Sequence, residues 1–144
     1  MITIGIKTLS QIEFKIVDTE PNAYFSGDQV QTVKLKHRKE GKEHIITFAI
    51  TNELINRKIN KKAIIKTSAS FAIESKDNRI IENPNNQTAI EIFSELTQVC
   101  SSHARAFFKQ SAKGTDFESY IIPYRPTAEL MKEVAGIIRI GYSI

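Results

Sequence analysis

Apolar residues in this chain change their spacing once, at the breaker Asn83-Pro84-Asn85-Asn86-Gln87. Before it they recur in twos. Apolar and polar side chains alternate in Gln11-Ile12-Glu13-Phe14-Lys15-Ile16-Val17 and in Val33-Lys34-Leu35-Lys36-His37-Arg38, the period of a strand with one buried face. Between Glu43 and Thr51, Ile46, Phe48 and Ile50 share one parity. Between Ala63 and Glu74, Ile65, Ala69, Phe71 and Ile73 share one parity, and Lys66, Ser68 and Ser70 take the other. Turn-forming groups punctuate these runs: Pro21-Asn22, Ser26-Gly27-Asp28 and Lys39-Glu40-Gly41-Lys42. Glu40-Gly41 between two alternating runs predicts a hairpin, and Asn52 to Lys62 reads as a longer polar connection. Four strands joined in sequence predict an antiparallel meander.

After the breaker the spacing is three and four. Thr88-Ala89-Ile90-Glu91 has the form of a capping box. Ala89, Ile92, Phe93, Leu96, Val99, Cys100, His103 and Phe107 then fall on one helical stripe. Lys113-Gly114 is a stop, with a cation at the negative helix end and a residue that tolerates left-handed backbone. Ser101-Ser102 leaves open whether residues 88–114 form one helix or two, because serine side chains compete for backbone hydrogen bonds. Tyr120-Ile121-Ile122-Pro123-Tyr124 reads as extended. Thr127 is placed to cap a last helix with Glu129 in its first turn, and Leu130, Met131, Val134, Ile137 and Ile138 form its buried stripe. Gly136 weakens that helix by about 1 kcal/mol relative to alanine. Strands over about 10–75 followed by helices over about 88–139 predict one α+β domain spanning 1–144, with helices on one face of the sheet.

A chain of 144 residues can bury a core without disulfides or metal. No apolar run approaches the roughly 20 residues that cross a bilayer, and the first residues lack the pattern of a secretory leader. The single cysteine, Cys100, has no internal disulfide partner. A cytoplasmic setting without membrane insertion is the expectation. The formal net charge of +4 comes with basic clusters at Lys34 to Lys42 and Arg57 to Lys66. Of these, Lys34, Lys36, Arg38, Lys61, Lys62 and Lys66 are the candidate patch for nucleic acid or another anionic partner; solvated strand faces are the plainer reading.

Catalytic constellations are missing. There is no phosphate-binding glycine loop, no Gly-x-Ser-x-Gly elbow, no Cys-x-x-Cys and no His-Glu-x-x-His. His37 and His44 flank the predicted hairpin and are two metal ligands at most. Cys100 and His103 share a helix face, but Cys100 lies on the apolar stripe and reads as a buried structural thiol. The expectation is a binding protein with no catalytic residues, cofactor or metal.

The segment Ser102-His103-Ala104-Arg105-Ala106-Phe107-Phe108, continuing through Lys113-Gly114-Thr115-Asp116-Phe117, resembles the main helix and following turn of the bacterial export chaperone SecB and its SecB-like relatives. Tyr120-Ile121-Ile122-Pro123-Tyr124-Arg125-Pro126 resembles that family's apolar segment with proline, Thr127 to Val134 its last helix, and Ser70-Phe71-Ala72-Ile73 the end of its fourth strand. The resemblance runs from about Ser10 to Arg139. It implies a four-stranded antiparallel sheet with helices on one face and association into dimers or tetramers. It also implies that unfolded polypeptides are held in apolar grooves without nucleotide. Tyr24, Phe25, Phe93, Phe108, Phe117, Tyr120 and Tyr124 are then the residues expected to contact a client; filling the core is the other reading of each. Two departures stand out. The family's export members carry an acidic sheet surface that docks the translocation motor, whereas Lys34, Lys36, Arg38 and Lys66 make these strands basic, which argues against that docking. Thr88 to Ser101 reads as helix where the family often has a glycine- and proline-rich loop. Three other roles stay open: a dedicated chaperone for a toxin–antitoxin partner, a module for nucleic acid or another anion, and a structural assembly component.

Overall fold

A computed structural model describes residues 4–20, 28–74 and 87–140. Four strands, β1 (Ile4–Asp18), β2 (Gln29–Glu40), β3 (Glu43–Asn56) and β4 (Lys61–Glu74), precede two helices, α1 (Gln87–Ser111) and α2 (Thr127–Ile140). The strands form the expected four-stranded antiparallel sheet, in the order β1-β4-β3-β2. β2, β3 and β4 follow one another as a meander, and β1 lies beside β4, so β1 and β2 are the edges. The β2–β3 turn has two residues, with Glu40 opposite Glu43. Gly41 supplies the positive φ of 63° that such a turn needs.

The alternation read from the sequence sets which face is buried. Val33 and Leu35, Ile46, Phe48 and Ile50, and Ala69, Phe71 and Ile73 meet Phe93, Leu96 and Cys100 of α1 and Val134 of α2 in one cluster. A second cluster joins Leu54, Ala63 and Ile65 to Phe108, Ala112, Phe117 and Ile122. Buried Asn52 on β3, Thr67 on β4 and Ser101 on α1 lie between these clusters along their elements. The core is therefore two apolar compartments with polar positions between them. The opposite face is mixed: Ile45 and Ile55 are buried on it, cations stand on β2 and β4, and Thr47 and Ser70 share a hydroxyl hydrogen bond of 2.9 Å across it.

α1 is one uninterrupted helix of 25 residues, which settles the question left at Ser101-Ser102. Helical hydroxyls need not break a helix when they bond back one turn. Ser94 Oγ donates to the Ile90 carbonyl at 2.7 Å and Thr97 Oγ1 to the Phe93 carbonyl at 2.8 Å. The capping expectations need correction. α1 begins at Gln87, one residue before Thr88, and Glu91 accepts from the Gln87 side chain at 3.2 Å. In α2 the Pro126 carbonyl accepts the first-turn amides of Glu129 and Leu130, which makes Thr127 the first helical residue and not the cap. Val99, placed on the buried stripe by its spacing, is 41% exposed. The predicted stop holds: Gly114 has φ 75°, and Thr115 Oγ1 donates to the Ala112 carbonyl at 2.7 Å.

His37 and His44 are buried on the helix-facing side, stacked, with His37 Nε2 and His44 Nδ1 2.8 Å apart. Burial and then the neighbouring His44 push the His37 pKa below its ordinary 6.5. Between that lowered value and 6.5 the unfolded chain binds more proton than the folded chain, so stability falls as pH falls through that window. Most carboxylates titrate below it. We expect the thermal midpoint to drop between pH 7.5 and 5.5, and His37→Gln to flatten that slope; an unchanged slope in the variant would contradict the assignment. Burial also pushes the Cys100 thiol up to about 12. It should react with a thiol reagent only as fast as the protein unfolds; immediate labelling of the folded protein would show otherwise.

Candidate client-binding surface

β1 is where the helices leave apolar side chains in water. Ile6 pairs with Phe71 and Leu9 with Ala69, so both stand in register with buried, helix-facing residues of β4. Yet Ile6 is 61% and Leu9 46% exposed. The register shifts between Ile6 and Thr8 and between Gln11 and Glu13, which makes Lys7 and Ile12 the extra residues of two bulges. Ile12 is 59% exposed. Further along, Phe14 and Ile16 return to the core, with the Phe14 ring 6.3 Å from Phe108. The exposed stretch is thus bounded by Ile4 at one end and Phe14 at the other, both packed against the core.

α1 supplies the second wall. Val99, His103 and Phe107 are spaced by four and form one row along the helix. At the end of this row Phe107 packs against the same cluster as Phe14 and Ile16, so the row faces β1. The other flank of α1 is occupied by the returning chain. Gln98 Nε2 donates to the Arg125 carbonyl at 2.9 Å, and the Arg105 guanidinium lies 5.6 Å above the Tyr124 ring. Arg125 ties that segment down: its guanidinium pairs with Glu129 at 3.0 Å, with Glu133, and donates to Gln31 Oε1 at 2.7 Å. On this side of the molecule Ile6 and Leu9 of β1 and Val99 of α1 are exposed, and Ile12 is exposed at the second bulge. A second, smaller apolar exposure lies at Ile121 and Tyr124, beside an open depression of about 370 Å³ lined by Gln29, Gln31, Pro123 and Arg125.

The aromatic residues expected to meet a client divide accordingly. Phe93, Phe108 and Phe117 are buried core residues, a correction to their surface role: their helical and loop positions point them at the sheet. Tyr120 is half-buried against Phe117, with ring centroids 4.9 Å apart. Tyr124 is 65% exposed. Tyr24 and Phe25 lie outside the described residues. Ile6 and Leu9 were missed because their spacing of three from Ile6 to Leu9 to Ile12 hides the strand period; the two bulges restore it.

The basic patch divides too. Lys34, Lys36 and Arg38 are exposed on the open face of β2, and Arg38 pairs with Glu40 at 3.0 Å. On β4, Lys62 pairs with Glu53 at 3.0 Å and Lys66 with Glu13 at 3.4 Å. Lys15 first, and Lys66 with it, hold the Glu13 carboxyl below its ordinary range. Lys61 stands in register with Asp18. Among the described residues no group of three or more His, Cys, Asp or Glu is placed to hold a metal ion, and no helix is long and apolar enough to cross a membrane.

No family model matches the chain, and no curated protein does. Among solved structures the chain is similar to a SecB-like chaperone of Mycobacterium tuberculosis, solved in complex with a peptide from an antitoxin, at 7% identity and a TM-score of 0.47, covering 85% of this chain and 90% of that one. It is similar as well to a protein of unknown function from Streptococcus agalactiae, at 12% identity and a TM-score of 0.48, covering 86% of this chain and 99% of that one.

Proposed function

We propose that the protein is a nucleotide-independent, chaperone-type binder of unfolded or extended polypeptide, which it holds along the strip between β1 and α1. One observation carries this reading. Three large aliphatic side chains, Ile6, Leu9 and Ile12, stand in water within seven residues of an edge strand. Single exposed apolar residues are ordinary, but a contiguous set marks a binding surface. Covering it stabilises a complex by roughly 25 cal/mol per Å² of apolar area, before ordering costs. The hydrophobic effect is non-directional, so such a strip accepts many apolar sequences. The bulges at Lys7 and Ile12 break the even hydrogen-bonding row of the edge, which disfavours flat addition of a regular strand and favours side-chain contacts with an irregular client. Tyr124 and Ile121 extend the apolar contact area on the far side of α1.

A second copy of the chain is the competing occupant of the same strip, and a homo-oligomer built there would hide it from clients. The test is suppression of aggregation of a chemically denatured model protein, without nucleotide, with the mass of the protein measured in the same sample. We expect suppression near stoichiometric ratio and a loss of at least about fivefold in potency for Ile6→Ser/Leu9→Ser, with the fold intact by circular dichroism. Phe108→Ser does not serve here, since a buried phenylalanine truncated in this way costs about 3–5 kcal/mol of stability. Absence of suppression by the folded protein, or full potency in the double variant, would sink the reading of this strip as a general client site and turn attention to a single dedicated partner.

A further inference from the structure

We propose that the β2 edge, at the far side of the sheet from the β1 strip, docks an extended acidic segment of polypeptide as a fifth strand. β2 is an edge strand that pairs with β3 alone among the described residues. Lys34, Lys36 and Arg38 occupy alternate positions, so all three project from the open face, roughly 6.8 Å apart. The intervening Leu35 and His37 are buried toward the helices. Next to these cations on β3 stand Ala49, Thr47 and Ile45, none of which carries charge. No ion pair among the described residues involves Lys34 or Lys36, in contrast to the β4 lysines at 62 and 66, which Glu53 and Glu13 engage. The row of cations is therefore uncompensated, apart from the Arg38–Glu40 contact at the hairpin end.

Charge and backbone together select the occupant. A second copy of β2 laid on this edge brings lysines against lysines, and like charges on neighbouring strands repel. A strand with carboxylates at every second position matches the same spacing with opposite sign, and its N–H and C=O groups pair with those along the edge. A nucleic acid offers phosphates at a comparable repeat, but its backbone brings acceptors without the N–H donors that the edge carbonyls require. The one aromatic ring of β2, His37, is buried toward the helices, so the exposed edge offers none for base stacking. An acidic polypeptide satisfies both the charges and the backbone.

The experiment uses the full chain and three fluorescent probes: an eleven-residue peptide alternating Glu and Thr, the same peptide N-methylated at alternate residues, and a single-stranded oligonucleotide of equal charge. We expect the acidic peptide to bind, Lys34→Gln/Lys36→Gln to weaken it by about tenfold or more, binding to fall as salt screens the charges, and the N-methylated peptide to bind at least tenfold more weakly. Both substituted lysines are exposed, and an unchanged thermal midpoint confirms that the variant folds. Suppression of aggregation through the β1 strip stays intact in this variant. Equal binding of the N-methylated peptide, tighter binding of the oligonucleotide, or no effect of the lysine substitutions would overturn the proposal.

Discussion

Two helices cannot cover four long strands, and the rest of the molecule follows from that mismatch. Strands of 12 to 15 residues reach roughly 40–50 Å, and four of them side by side span about 19 Å. α1, at 25 residues, is about 38 Å long but only about 10–12 Å across. α2, at 14 residues, is about 21 Å long. Helix α1 lies over the middle of the sheet, where Phe48 and Phe71 pack edge to face 5.7 Å apart. Arg125 pins the chain leading into α2 over Gln31 of β2. What remains uncovered on the helix side is the central part of β1, and the sequence keeps isoleucine and leucine there.

The two sheet edges are consequently unlike. β1 is broken by bulges and apolar on its helix side, between two anchored ends. β2 is even in register with β3 over all twelve residues and carries exposed cations at alternate positions. Each edge guards against indiscriminate pairing by a different device, irregularity in one case and charge in the other. The proposed client strip and the proposed acidic dock use those same devices. They lie on opposite edges and opposite faces, so occupation of one leaves the other accessible.

Most of the fold was legible because the buried face obeys simple periods. Phe48, Ile50, Phe71 and Ile73 alternate without interruption, and Phe93, Leu96 and Cys100 recur at helical spacing. The place of β1 next to β4 was not legible, since alternation gives a strand its faces and not its neighbour. The start of β1 was hidden for a physical reason: bulges at Lys7 and Ile12 turn a period of two into apparent threes. The surface was read least well. Aromatic size suggested Phe93, Phe108 and Phe117 as contacts, but large rings also yield the most on burial, and these three are core. Periodicity likewise assigned Val99 to the core, but the width of a helix's buried stripe depends on what packs against it, and Val99 is 41% exposed outside both core clusters.

The most direct test of the account is site-specific photocrosslinking. A photoactivatable phenylalanine analogue is placed at Leu9 in one sample and at Thr47, on the open face, in another, each with a denatured, radiolabelled client. A strong client adduct is expected from Leu9 and little from Thr47, with the Leu9 adduct competed by unlabelled apolar peptide. Adducts of equal yield from both positions, or adducts from Leu9 only to other copies of the same chain, would contradict it.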